Sequence, residues 1–385
     1  MIAMKKMNNN SLVVNLLRLS FKGILILLFV FSTVVSYGQQ DDCFKIYYPE
    51  KTWEKINDLN SKGWSSQRLD EAQAFSNTLN TAAVVIVHKG KIVRKWGDTN
   101  RKISTHSIRK SFLSAMYGLE VQRGIIKLGA TLKELNIGDN EPELTNGEKE
   151  ATVRMLLKAR SGVYHDAAYE TDAMEAARPE RYSQAPGTYW YYNNWDFNVL
   201  GTIYRQETGK DIYKSFKTMI ADPIGMKSFN SETDGDYSKD PNQSIHPAYP
   251  FKMNAIDMAR FGLLMERNGK WKEKQIIPEF WVKQSTVSYS DTDNGSYPDT
   301  SATAAAGGYG YLWWVAVGNQ HFKDVDKVPF GLYTARGYRG HVIAVIPDMD
   351  LVFVYRNDDS KRGKSTSYSN IGKLLMKIIN ARQVD

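Results

Sequence analysis

A serine and a lysine three residues apart, Ser107 and Lys110, are the residues whose types and spacing most directly suggest chemistry. Apolar residues recur at helical spacing around them and predict a helix over Ser107 to Gly118. Residues three apart share a helix face, so the hydroxyl and the amine would be neighbours. A serine beside an amine at a helix start, where backbone N–H groups point outward, suits nucleophilic acyl transfer. Alone the spacing is weak evidence, because a capping serine and a solvated lysine would produce it too.

Two later segments carry groups suited to the same reaction. Residues 186–194 read Pro-Gly-Thr-Tyr-Trp-Tyr-Tyr-Asn-Asn, which indicates a turn that presents aromatic and amide groups before a helix over Asp196 to Glu207. The turn contains two overlapping Tyr-x-Asn frames, Tyr191/Asn193 and Tyr192/Asn194. Residues 334–341 read Thr-Ala-Arg-Gly-Tyr-Arg-Gly-His, and glycines there permit a strand edge to approach a ligand closely. A third Tyr-x-Asn triplet, at 368–370, is interpreted as the capped start of a C-terminal helix.

The elements that must position these residues indicate a sheet domain interrupted by helices. Residues from about 44 to 80 are predicted to form a helix followed by a loop, and a β-hairpin is predicted over Ala82–Val87 and Ile92–Val93. Strand-like runs close the domain at Gly310–Val317, His341–Ile346 and Leu351–Tyr355, before a final helix near Ile371–Ile379. The sheet domain is therefore predicted at about 44–123 plus 300–385, and a helical subdomain at about 124–299.

The first 38 residues are predicted to be a cleaved secretory signal. Four basic residues and no acid precede an apolar run that ends at Val35, and small residues follow at Ser36 and Gly38. The run is shorter than the roughly 20 apolar residues that span a bilayer, which favours a cleaved signal over an anchor. We therefore expect a secreted or periplasmic protein with no stable membrane anchor and a mature domain over 39–385.

Composition excludes several other functions. The formal net charge is +8, cleavage would remove four positive charges, and the remaining ones are scattered, so nucleic acid is not an expected partner. The single cysteine, Cys43, and six histidines show no metal-binding spacing, and phosphate-loop and dinucleotide patterns are absent, so no metal or cofactor is expected. His106 directly precedes Ser107, and since adjacent helix residues do not face each other it is interpreted as structural.

The order Ser-x-x-Lys, Tyr-x-Asn and then a glycine-bearing strand resembles the serine β-lactamase and penicillin-binding-protein superfamily, in its class C and esterase-like branch. Residues 156–162 resemble the family's leucine-rich turn, and residues 194–201 resemble the segment after its tyrosine, which sets the register on Tyr192 and Asn194. Residues 308–314 resemble a closing strand. The resemblance extends from about residue 80 to the end. It implies an α/β (α+β) fold of the β-lactamase/transpeptidase type, with an antiparallel sheet flanked by helices and an inserted, mostly helical subdomain.

The resemblance also implies a role for each motif residue. Ser107 would attack a carbonyl carbon, and Lys110, with its proton affinity lowered by burial, would help to take the serine proton. Tyr192 would share that role and pass the proton to the leaving group. Asn194 would position the substrate, and the backbone N–H groups of Ser107 and Tyr338 would bind the developing oxyanion. Water would then hydrolyse the acyl-enzyme.

The third motif departs from the family pattern. Ala335-Arg336-Gly337 places alanine where the family usually has Lys or His near a substrate carboxylate, although Arg336, Arg339 or His341 could substitute. The departure favours an ester or amide hydrolase, similar to the esterase and aminohexanoate-oligomer hydrolase branch, over a β-lactamase or D-amino-acid peptidase. A penicillin-binding or sensor domain without turnover is the alternative from another class. The expected partner is thus a small-molecule ester, amide or β-lactam.

Overall fold

The computed structural model describes residues 46–292 and 307–383. The predicted signal segment and Cys43 lie outside these residues. The described residues from Tyr48 onward belong to the larger of two compact units. No helix within the described ranges is long and apolar enough to cross a membrane.

An eight-stranded antiparallel sheet, in the order β2-β1-β14-β13-β12-β11-β10-β9, is the centre of the larger unit. Its strands are β1 (Thr81–His88), β2 (Lys91–Gly97), β9 (Ser290–Asp291), β10 (Gly308–Tyr309), β11 (Trp314–Val315), β12 (Tyr333–Gly337), β13 (His341–Ile346) and β14 (Leu351–Asn357). The predicted β1–β2 hairpin is present. Its turn residues Lys89 and Gly90 have φ of 50° and 78°, as a type I′ turn requires.

Helices and three small two-stranded sheets complete the described part of the chain. The helices are α1 (Ser66–Asn77), α2 (Ile108–Gln122), α3 (Val153–Leu157), α4 (Asp172–Ala177), α5 (Asn194–Thr208), α6 (Ile212–Phe216), α7 (Ala255–Glu266), α8 (Glu279–Ser285) and α9 (Tyr368–Asn380). The small sheets pair β3 (Ile103–Ser104) with β6 (Lys252–Met253), β4 (Ser238–Asp240) with β5 (Ser244–Ala248), and β7 (Lys270–Trp271) with β8 (Lys274–Gln275). Single 3-10 or π turns occur at Asn60–Lys62, Glu148–Glu150, Lys217–Ala221, Tyr338–Gly340 and Pro347–Met349.

Both faces of the sheet are buried, which explains why β1, β13 and β14 are apolar along most of their length, with polar residues near their ends. Val85 and Val87 of β1 belong to the core that includes α2 and α7, whereas Val84 and Ile86 belong to the core that includes α1 and α9. Helix α7 packs so closely that a Cβ added at Gly262 would lie 2.5 Å from a methyl of Val352. Helix α7 lies within the predicted helical subdomain, yet it packs on the sheet. The division into a sheet domain and a helical subdomain stays a prediction.

Two predicted elements are wrong. The segment around Trp53 and Ile56 is not a helix, because its backbone bonds to Ile92 of β2: the N–H of Ile56 donates to the Ile92 carbonyl at 2.9 Å. The helix comes later, as α1, where the Ser65 hydroxyl caps it by accepting from the Arg68 N–H. The predicted strand Gly310–Val317 is not continuous: it begins after β10 with a tight turn, where Leu312 has φ of 64°, and Trp314–Val315 within it forms β11.

Candidate active site

The turn that presents Ser107 is fixed on both sides. Before it, the backbone N–H of Thr105 donates to the Phe251 carbonyl at 2.8 Å, and after it α2 begins at Ile108. His106 between them has φ of 47°, a conformation that non-glycine residues adopt infrequently and that the surrounding structure must stabilise. The Ser107 side chain makes no capping hydrogen bond. Its hydroxyl is therefore not committed to stabilising the helix.

Lys110 lies one helical turn beyond Ser107 and is 1 % exposed. Its Nζ is 2.9 Å from Ser107 Oγ, 2.7 Å from the Tyr192 hydroxyl and 2.8 Å from Asn194 Oδ1. The rings of Tyr192 and Phe197 lie 4.2 Å and 4.3 Å from the same nitrogen. No ion pair joins Lys110 to an acidic side chain among the described residues, so the amine is buried among neutral polar groups and aromatic rings.

The pKa values of these two groups decide which of them can accept a proton. Burial, with a smaller contribution from the positive charge of Arg109, lowers the pKa of Lys110 well below its ordinary value. Burial also raises the pKa of Tyr192 to about 12, although a hydrogen bond with Ser107 and nearby arginines oppose the shift. A phenolate is thus rare at neutral pH, whereas burial shifts Lys110 toward its neutral form. Lys110 is the group suited to act as the base, and Tyr192 keeps a proton to donate.

The structure distinguishes the two Tyr-x-Asn frames. Tyr192 reaches Lys110, whereas the Tyr191 hydroxyl donates to the Met174 carbonyl at 2.7 Å and Asn193 caps α5. Asn194 is held at both ends of its amide, since Oδ1 contacts Lys110 and Nδ2 donates to the Tyr169 carbonyl at 2.6 Å. Its side chain therefore orients the lysine in this structure and also borders the cavity over Ser107, and its role in positioning a substrate stays a prediction.

Strand β12 brings the third motif against the Ser107 turn. A Cβ added at Gly337 would lie 2.5 Å from the Thr105 carbonyl oxygen, which shows how closely the two backbones approach. Ala335 is 1 % exposed and belongs to the core on the α2 side of the sheet. Arg336 points to the other side, where its guanidinium lies about 5 Å from three aromatic rings, those of Trp314, Phe322 and Tyr368.

A cavity of about 740 Å³ opens over Ser107. Its lining is rich in cationic and aromatic side chains, and Asp172 is the one acidic residue among the described lining residues. Arg336, Arg339 and Tyr338 border it, and Tyr338 is 52 % exposed. The lining consists of His106, Ser107, Arg109, Tyr169, Thr171, Asp172, Ala173, Met174, Tyr192, Asn194, Trp314, Arg336, Tyr338, Arg339, Ser365 and Tyr368.

Not every predicted residue reaches this cavity. His341 is fully buried beneath it, where its ring faces Asp359 and Arg356. The structure therefore does not place it as a substrate ligand, because the start of β13 directs the side chain into the protein. Sequence reasoning also missed Tyr368, whose triplet was interpreted as a helix cap. Its hydroxyl donates to the Gly337 carbonyl at 2.7 Å and its side chain lines the cavity, while Ser367 caps α9.

Comparison with known proteins agrees with this architecture. A candidate 6-aminohexanoate-dimer hydrolase from Bacillus anthracis is 21% identical, with 86% of each chain covered and a TM-score of 0.59. A candidate beta-lactamase from Bacteroides dorei is 17% identical, with 82% of this chain and 99% of that chain covered and a TM-score of 0.57. A class C beta-lactamase from Rhodobacter sphaeroides is 16% identical, with coverage of 82% and 99% and a TM-score of 0.55.

These three similarities establish the fold, since the identities are low. A search of curated proteins found no match. The beta-lactamase family profile matches residues 67–378, which is most of the chain. The expected β-lactamase/transpeptidase-like fold is thereby confirmed. The chain belongs to the beta-lactamase family and is a serine hydrolase of that superfamily.

Proposed function

We propose that this protein hydrolyses a small ester or amide through a covalent acyl intermediate on Ser107. The observation that supports the proposal most directly is the buried Lys110 amine within hydrogen-bonding distance of Ser107, Tyr192 and Asn194. A neutral amine has two N–H groups and one lone pair, which match these three neighbours if the serine hydroxyl donates to the lone pair. The serine is then activated before substrate arrives.

The first half of the reaction transfers the acyl group. Ser107 Oγ bonds to the carbonyl carbon while its proton moves to Lys110 Nζ, and the carbonyl oxygen becomes an oxyanion. The backbone N–H groups of Ser107 and Tyr338 are assigned to that oxyanion, a type of contact whose removal costs about 3 kcal/mol in other enzymes. Tyr192 gives its proton to the leaving alcohol or amine and regains one from Lys110, so the carbon–leaving-group bond breaks without free charge.

The second half releases the product. A water molecule loses a proton to Lys110 and attacks the acyl carbon, the bond to Ser107 Oγ breaks, and the serine regains its proton. One water is consumed and one acid is formed for each ester or amide cleaved.

The cavity lining favours esters or amides with a polar or anionic portion over bulky neutral ones. Arg336 and Arg339 supply the positive charge near the site, and they replace the cation that Ala335 lacks. A secreted or periplasmic location, based on the first 38 residues, belongs to this proposal. β-Lactam hydrolysis and D-amino-acid peptidase activity are the alternatives, and a panel of a nitrophenyl ester, a chromogenic cephalosporin and short D-amino-acid amides separates them.

Replacement of the proposed nucleophile tests the mechanism. Ser107→Ala is expected to abolish ester turnover and labelling by a fluorophosphonate probe, with an unchanged melting temperature. Ser114→Ala is the matched control, because Ser114 is fully buried on the same helix and its hydroxyl has no hydrogen-bond partner in the described part of the chain. It should label normally. Wild-type turnover by Ser107→Ala would refute the mechanism, and a stable acyl adduct without turnover in the wild type would favour the sensor alternative.

A further inference from the structure

A polar cluster with two buried and two partly exposed members lies beside the Ser107 turn, outside the groups used in the proposed mechanism. It consists of His106, His341, Arg356 and Asp359. The Asp359 carboxylate lies 2.9 Å from His106 Nε2, and 3.1 Å and 3.2 Å from His341 Nε2. The two imidazole rings are stacked, with centroids 5.1 Å apart. The Asp359 carboxylate therefore contacts His106, which directly precedes Ser107, and also His341, the first residue of β13.

The hydrogen bonds of His341 fix the position of its proton. Its Nδ1 accepts from Arg356 Nε at 3.0 Å and from the backbone N–H of Asn357 at 3.3 Å. The ring proton must then be on Nε2, where it is donated to Asp359. Burial, together with the Arg356 charge, lowers the pKa of His341 and keeps the ring neutral.

Asp359 remains ionised and accepts from both rings. Burial would raise its pKa, but the hydrogen bonds from His106 and His341 outweigh this and hold it well below its ordinary range. His106 Nε2 must accordingly be a donor. The side-chain amide of Asn357 also donates to the carboxylate, at 3.3 Å, so Asp359 accepts from three side chains.

The same cluster anchors the chain just before the nucleophile and the strand opposite it. Arg356 donates to the carbonyls of Ile103 and Ser104, each at 2.9 Å, just before the turn. His106, in its infrequent positive-φ conformation, directly precedes Ser107. His341 is the cross-strand partner of Gly337 in β12. The cluster thus links the Ser107 turn to β12, which ends at Gly337, next to Tyr338.

We propose that Asp359 is a positioning residue that joins the Ser107 turn to β12 through His106 and His341, and so sets the geometry of the oxyanion-binding N–H groups. This proposal rests on the proposed function. In either orientation an amide at position 359 would place an N–H group against a ring N–H: at the Oδ1 position it would face His341, and at the Oδ2 position it would face both rings. This contact between two donors would displace at least one of the two backbones, and transition-state binding would weaken more than substrate binding.

A divalent cation is the competing occupant of this cluster, because His106, His341 and Asp359 have ligand atoms within 4.8 Å of one another. The hydrogen bonds oppose it. Both nitrogens of His341 already have hydrogen-bond partners. A metal at Nε2 would displace the Nε2 proton, and that proton could not move to Nδ1, because Nδ1 accepts a hydrogen bond from Arg356. Unchanged activity after treatment with EDTA supports the positioning role, and loss of activity restored by Zn²⁺ would overturn it.

The kinetic test compares Asp359→Asn with Asp358→Asn. Asp358 is the adjacent acid, and its carboxylate bonds to Arg101 at 2.8 Å instead of to the histidines. For a nitrophenyl ester, Asp359→Asn should lower kcat about 10- to 100-fold with KM within about 3-fold, since sub-ångström displacement of catalytic groups has effects of this size. Asp358→Asn should keep both constants within about twofold. Equal kcat for Asp359→Asn and the wild type would overturn the proposal.

Two further measurements separate positioning from loss of stability and from failure of the proposed function. If Asp359 acts through His106, the double variant Asp359→Asn/His106→Asn should be no slower than the worse single variant, whereas additive losses would contradict the link. NMR of the free protein should show a hydrogen-bonded His341 Nε2 proton that Asp359→Asn removes and Asp358→Asn retains. The resonance tests the link between Asp359 and His341 even if the probe does not label Ser107. Failure of that labelling would refute only the assignment of Ser107 as the nucleophile.

Discussion

The approach of β12 to the Ser107 turn can be tested by adding one methyl group. In Gly337→Ala the new Cβ would lie 2.5 Å from the Thr105 carbonyl oxygen, against an ordinary contact of at least 3.4 Å. Both atoms belong to backbone or Cβ positions, so no side-chain rotation relieves the contact. Thr105 is also anchored, because its N–H donates to Phe251 and its carbonyl accepts from Ile108 at the start of α2. The strand and the turn must separate by about 0.9 Å.

A displacement of this size falls on the groups that would bind the oxyanion. Misplacement of about 1 Å can cost on the order of 10²-fold in rate, or about 2.7 kcal/mol in the activation barrier. We therefore expect kcat for a nitrophenyl ester to fall about 100-fold in Gly337→Ala, with a smaller change in KM. Overpacking should also lower stability by about 1–3 kcal/mol, so the rate is normalised to the fraction of protein that a fluorophosphonate probe labels to completion.

Gly129→Ala is the matched control, because a Cβ there meets no atom within 4 Å and the backbone needs no positive φ. It should retain wild-type kcat and have a stability within about 1 kcal/mol of the wild type. A Gly337→Ala enzyme that folds and turns over at the wild-type rate would show that catalysis does not depend on this close approach. The assignment of Tyr338 to the oxyanion would then fail with it.

Three further predictions concern protonation. Tyr192→Phe should lose roughly 10²-fold in turnover, the scale of general acid–base catalysis, and the loss should be smaller for an ester with a good leaving group than for a poor one. In the wild type, the rate of fluorophosphonate labelling should rise with pH as Lys110 loses its proton, whereas Lys110→Met should label slowly at every pH. The pKa of Lys110 is lower in the folded than in the unfolded chain, so its contribution to the free energy of unfolding should increase with pH up to the ordinary lysine pKa of about 10.5. Urea titrations of Lys110→Met should lack this increase. Glu170 is 6 % exposed in its side chain, and burial raises its pKa to about 7. The folded state therefore keeps the Glu170 proton over a pH range in which the unfolded state has released it, so the wild type loses stability as pH rises from 5 to 8. The stability of Glu170→Gln should accordingly increase relative to the wild type over that range, by at most about 3 kcal/mol. A constant difference across the range would contradict the shift.

Local pattern was sufficient for the elements that carry the first two motifs. Helix α5 contains the whole range predicted for it, Asp196 to Glu207, and α2 begins within one residue of the predicted start, although it continues to Gln122. The hairpin followed from a β-branched run and a glycine turn. In these segments the hydrophobic period, the turn residue and the buried face all agree, so tertiary structure had no reason to override them.

Local pattern failed where long-range contacts determine the backbone. The residues around Ile56 have helical spacing, but their backbone groups bond to Ile92, which is distant in sequence. Asp359 shows the same limit for the site, since it lies 253 residues from His106 and no motif marks it. Tyr368 carried a motif-like triplet, yet nothing in its neighbours indicated that its hydroxyl would bond to Gly337. Contacts of this kind depend on strand order, which spacing does not encode.

The third motif shows how a shift of one residue changes the chemistry of a strand. Successive side chains on β12 point to opposite faces, so a cation at 336 cannot occupy the place of one at 335. Ala335 packs in the core beside α2, whereas Arg336 lies among aromatic rings on the α9 side and still borders the cavity. Positive charge therefore reaches the cavity from a different direction than the family pattern implies. A substrate whose anionic group is placed for position 335 would fit poorly, which is a physical reason to expect weak β-lactam turnover beside efficient cleavage of other esters or amides.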